Sequence, residues 1–137
     1  MFERFEHTAD LGLHVEAMSI IELFSEAGRG LTSLLVDQPE LIQAVDEKTF
    51  EVTASELDYL FFDWLNELLY AFDSEGWLGA EFAVRIDGDR LVARVRGESL
   101  DAARHRPSHE VKAITYHGLA VREDSAGRWT VDVIVDI

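Results

Sequence analysis

There is no cysteine in the chain, which excludes both a disulfide framework and a thiolate metal site and leaves the redox compartment unread. Lysine is almost as scarce: Lys48 and Lys112 are the only two, against ten arginines. No run approaches the roughly 18 apolar residues of a membrane span. The opening Met-Phe-Glu-Arg-Phe-Glu-His lacks the basic start and apolar stretch of a signal peptide. A soluble cytoplasmic protein without membrane contact is therefore expected. Also missing are a Gly-rich phosphate loop, a His-Glu-x-x-His pair and a Gly-x-Ser-x-Gly elbow. No catalytic residue is assigned: a triad built on the adjacent Ser108 and His109 would have no oriented geometry.

What is present suffices for a core. The chain has 137 residues, 47% of them hydrophobic and eight of them Phe, which predicts one domain over residues 1–137 burying roughly two-thirds of its unfolded surface. The net charge is −15, and it is unevenly placed. Residues 1–84 hold 3 Lys/Arg against 18 Asp/Glu, whereas residues 85–137 hold 9 of each. Nucleic acid is bound chiefly by neutralising phosphates, so tight direct RNA binding is not expected. The acidity serves either solubility, including in a salty cytoplasm, or a charged partner surface.

In chain order, Phe2 to His7 reads as a short strand, interrupted by Thr8-Ala9-Asp10. Leu11, Leu13, Val15 and Ala17 then alternate with period two, placing Asp10 at a strand start and His14 and Glu16 outward, with His14 read as a solvated strand residue. Ser19 and Glu22 form a capping-box pattern ahead of a helix to about Val36, in which Gly28 and Gly30 suggest close packing. Thr49 to Thr53 reads as a strand. A second helix from a Ser55 cap, with Asp58 as capping partner, runs to about Asp73 and carries a wide apolar stripe through Trp64 and Leu68. Asp63 and Glu67 lie four apart on its polar side, ordinarily a solvated face though able to meet a cation or a basic partner. Ala80 to Arg96 forms a hairpin about Asp87-Gly88-Asp89 with arginines outward. After a loop from Gly97 to Pro107, Val111–Arg122 and Arg128–Asp136 read as a second hairpin. The class is α+β: about two main helices packed on largely antiparallel sheet.

Two aspartates, Asp10 at one strand start and Asp136 at the end of the last strand, could meet and offer oxygen ligands to a hard cation. The competing reading is a turn cap and a solvated tail. Four blocks then bear on the choice: His7-Thr8-Ala9-Asp10-Leu11-Gly12, Trp64-Leu65-Asn66-Glu67-Leu68-Leu69-Tyr70, Glu110-Val111-Lys112-Ala113-Ile114-Thr115-Tyr116-His117-Gly118, and the terminal Asp136-Ile137. In this order they resemble the archease family across essentially the whole chain. That resemblance implies a divalent-cation site at Asp10, Asp136 and Ile137, for which calcium is expected with magnesium or manganese as alternatives. Less firmly, it implies a share for His7, Lys112 and His117 in activating a partner. It further implies an accessory protein, not an enzyme, that promotes guanylylation and multiple turnover of an RtcB-type RNA ligase in tRNA splicing and RNA repair. The alternatives are a stand-alone metal-dependent hydrolase using the same aspartates, or a metal-binding chaperone for other tRNA-processing enzymes such as methyltransferases. A monomer or weak homo-oligomer is expected.

Overall fold

The protein is described by a computed structural model covering residues 1–7 and 10–137, with the side chain of His7 outside that description. Its strands form two antiparallel sheets. In the larger, β1 (Phe2–His7), β2 (Asp10–Ala17), β8 (Trp129–Asp136) and β6 (Ala113–Thr115) lie side by side, and the two-residue β7 (Arg122–Glu123) also pairs with β8. In the smaller, β5 (Arg90–Ser99) lies between β3 (Asp46–Thr53) and β4 (Trp77–Asp87).

Two long helices join the sheets. α1 (Ile20–Leu35) starts at Ser19, whose hydroxyl accepts the Glu22 amide at 3.1 Å, as the capping pattern predicts. It packs on β2 of one sheet and β4 of the other. Its glycines allow that approach: a Cβ on Gly30 would stand 2.6 Å from Leu13, and one on Gly28 2.7 Å from the Phe82 ring. α2 (Leu57–Glu75) packs on β3, β4 and β6, and Leu60, Phe61, Trp64, Leu65, Leu68 and Leu69 supply its buried stripe. Trp64 is fully buried at the centre, and its indole N–H donates to the Phe24 carbonyl at 2.9 Å. The ring's one polar atom is thus satisfied where it would otherwise cost stability.

Four local expectations are corrected. α2 is capped at Glu56 without a side-chain bond, not at Ser55. The Asp58 carboxylate instead accepts the Val121 amide at 2.8 Å and ties the helix start to the loop after β6. The strand expected over 111–122 is only three residues long, because the chain turns at Tyr116–Gly118, where Gly118 has φ +67°. The predicted loop from Gly97 to Pro107 contains the end of β5 and a short helix, α3 (Ala102–His105), in addition to the two main helices.

Candidate functional site

The register of the larger sheet brings the sequence candidates to one end. His7 is opposite Asp10 across β1 and β2, Asp10 is opposite Asp136 across β2 and β8, and Ala113 is opposite Asp136 across β8 and β6. Four strand ends therefore lie in one row. Residues directly opposite in an antiparallel pair have Cβ atoms about 4.5–5.5 Å apart, so the two carboxylates are neighbours although 126 positions separate them in the chain. Asp10 shares the strand face of His14 and Glu16, and Asp136 that of Asp132, the side opposite the core-facing Leu13, Val15, Val133 and Val135. Asp10 is half-buried and Asp136 exposed.

The other candidates distribute around this pair. Lys112 sends its backbone N–H to the Asp136 carbonyl at 2.7 Å, while its exposed side chain borders a shallow depression with Asn66, Glu67, Tyr70 and Asp73 of α2. Ile137 packs partly buried against the core, which fixes the last residue beside Asp136. His117 is exposed in the turn after β6, a strand that runs from Ala113 at Asp136 to Thr115 at Ile134. The suggestion made for the His7 side chain, with Thr8 and Ala9 of the same motif, falls outside the described residues.

The donor chemistry suits a hard cation: two carboxylates, with oxygen atoms only and no cysteine in the chain. Among the described residues no group of three or more His, Cys, Asp or Glu side chains is arranged to hold a metal ion. The described strand ends thus supply two carboxylates, and a cation held by them would keep ligand positions open to water or a partner.

Two clusters missed by sequence reasoning lie elsewhere. His14 is not simply solvated: its Nδ1 is 2.5 Å from Asp132 Oδ1 and its Nε2 3.1 Å from Glu16 Oε1. The hydrogen bond to Asp132 raises the imidazole pKa, with burial opposing and Glu16 adding to the rise. In the second cluster His105, fully buried, accepts the Asp101 amide at Nδ1 and faces Glu98 through Nε2 at 3.0 Å. The ring is therefore the neutral tautomer, donating from Nε2. Arg104 grips Glu98 with two guanidinium nitrogens at 2.6 and 3.0 Å, and these bonds lead in lowering the Glu98 carboxyl to about 2.

Comparison with known proteins decides the family. The model of the Archease protein family (MTH1598/TM1083) matches residues 2–137. Protein archease of Pyrococcus abyssi (strain GE5 / Orsay) is 34% identical over 140 residues, covering 99% of this chain and 98% of that protein. The chain belongs to the archease family. The solution structure of Methanobacterium thermoautotrophicum protein 1598 is 32% identical and superimposes with a TM-score of 0.86, covering 99% of this chain and 98% of that one. A crystal structure from Thermotoga maritima, described as an archease and possible chaperone, is 25% identical with a TM-score of 0.68, covering all of this chain and 98% of the other. These relatives span the α+β fold from end to end, and among the described residues no helix is long and apolar enough to cross a membrane.

Proposed function

We propose that the chain is an accessory protein of an RtcB-type RNA ligase, acting in tRNA splicing and RNA repair by promoting guanylylation and turnover of the ligase. The observation that carries this reading is the pairing of Asp10 with Asp136 at the shared strand end, in a chain that belongs to the archease family. Asp10 and Asp136, with an oxygen from Ile137, are the groups that would hold a divalent cation, for which calcium is the first candidate. When bound, the cation supplies positive charge that can organise phosphate oxygens. The chain's own part is to hold two carboxylates at a fixed sheet spacing while leaving the cation incompletely coordinated, which favours delivery to a partner over unaided catalysis.

Calorimetric titration with calcium tests the site. The wild-type chain should bind, and Asp10→Ala with Asp136→Ala should lower affinity at least about tenfold, in line with the usual loss of metal ligation. Carboxylate ligands bind cations only when ionised, so affinity should fall in acid. Equal isotherms for wild type and double variant would remove the two aspartates from the site.

A further inference from the structure

The outward face of α2 bears exposed aromatic rings among uncompensated carboxylates. Tyr59 is 46% exposed and Tyr70 69%, and Tyr116 stacks on Tyr59 with ring centroids 4.9 Å apart while meeting the Phe62 ring edge-on at 5.4 Å. The Asp58 bond to Val121 holds the Tyr116 loop against the helix start. Leu57–Glu75 contains no Lys or Arg. Among the described residues no ion pair or hydrogen bond reaches the side chains of Asp63, Glu67 or Asp73. A merely solvated helix face ordinarily mixes charges of both signs and hides its rings. Toward the helix end, Asn66, Glu67, Tyr70 and Asp73 share a depression with Lys112 and Ala113, and Ala113 is the residue opposite Asp136. The face is thus continuous with the row that holds the aspartate pair.

We infer that this face, from Tyr59 and Tyr116 through Glu67 and Tyr70 to Asp73, is the docking surface for an arginine-bearing, cationic protein surface. Guanidinium groups both pair with carboxylates and stack on tyrosine rings, so one partner chemistry satisfies both features. A second copy of the chain is disfavoured, since a two-fold contact would set acidic helix against acidic helix. RNA and anionic lipid are disfavoured by the same sign of charge. The inference rests on the proposed function in taking the ligase as that partner. It adds which surface of the chain binds, and that docking there brings Asp10 and Asp136 to the rim of the contact.

The test uses the full chain and two probes: a purified RtcB-type ligase and a nine-arginine peptide. Variants are Asp63→Lys with Glu67→Lys, Tyr59→Ser with Tyr70→Ser, and a charge-matched control on the other sheet, Asp46→Lys with Glu47→Lys. Circular dichroism and thermal melting confirm that each folds. Affinity for the ligase should fall about tenfold or more in both face variants, as for hot-spot residues, and stay within about twofold in the control. Amide shifts on adding the peptide should cluster on α2 and the Tyr116 turn. If the ligase binds all four proteins alike, or the control loses as much as the face variants, the surface is wrongly placed. Should wild type not bind the ligase at all, the proposed function falls and the peptide decides the surface alone: shifts on α2 uphold it for another cationic partner, and shifts elsewhere overturn it. Self-association through α2, or RNA binding lost in the tyrosine variant, also overturns it.

Discussion

Glu98 shows how one carboxylate can hold a loop in place. It accepts from Arg104 twice, from the Gln43 amide at 2.7 Å and from His105. Replacing it by Gln removes the charge and should cost about 1.5–3 kcal/mol in urea unfolding near neutrality, as for hydrogen bonds to charged groups. The pH dependence has a definite sign. The folded pKa is lowered from 4.5 to about 2, so the stabilisation is complete above about 4.5 and disappears as pH falls toward 2. A Glu98→Gln deficit that stays constant down to pH 2 would contradict this. His14 has the opposite sign: its pKa is raised from 6.5, so its ion pair with Asp132 stabilises fully below 6.5 and fades as pH rises through the higher folded value. Because Asp132 is 62% exposed, the contribution should be small, about 0.2–1 kcal/mol. A His14→Asn comparison at pH 5.5 and pH 9 measures it, and a larger deficit at pH 9 would reverse the assignment. Neither cluster was legible in the sequence. Glu98 and His105 stand in a stretch that reads as loop, and His14 meets a carboxylate 118 positions away.

At the scale of elements, period-two alternation placed β2 and β8 correctly because each buries one face. The 3.6-residue stripe placed α1 and α2 for the same reason. One error came where a long-range bond outweighed a local pattern, and another where a glycine turn interrupted an alternating run. Ser55-x-x-Asp58 has the spacing of a cap, yet the Asp58 carboxylate serves the Val121 amide. The run from Val111 to Arg122 alternates well enough to read as one strand, yet Gly118 turns it, and that glycine was the available signal. Glycines also mark where backbones meet. A Cβ on Gly97 would overlap the Leu78 carbonyl oxygen, beside the bulge between Gly79 and Glu81 in β4. Backbone cannot move aside as a side chain can, so Gly97→Ala should destabilise by at least about 3 kcal/mol, at the upper end for overpacking. Urea unfolding within about 1 kcal/mol of wild type would show that the two strands separate easily there.

For the whole molecule, the candidate site depends on topology more than on any local motif. Asp10 and Asp136 are ordinary turn and tail residues when read singly. Only the β1-β2-β8-β6 order makes them neighbours; the family resemblance pointed to the two aspartates as a pair, while the strand order that joins them was not legible in the sequence. The net charge of −15 sets the long-range behaviour, repelling phosphate and attracting a basic protein surface, with association that weakens as salt rises. Activation of a ligase through the aspartate pair is tested most directly by following labelled GMP transfer onto a purified RtcB-type ligase, with the chain present at a small fraction of the ligase concentration. Wild type should raise the guanylylation rate severalfold, Lys112→Ala should reduce the gain, and Asp10→Ala or Asp136→Ala should abolish it while the chain alone neither joins nor cleaves RNA. A rate that is the same with and without the chain across metal and nucleotide concentrations, or full stimulation by the Asp10→Ala variant, would contradict the account.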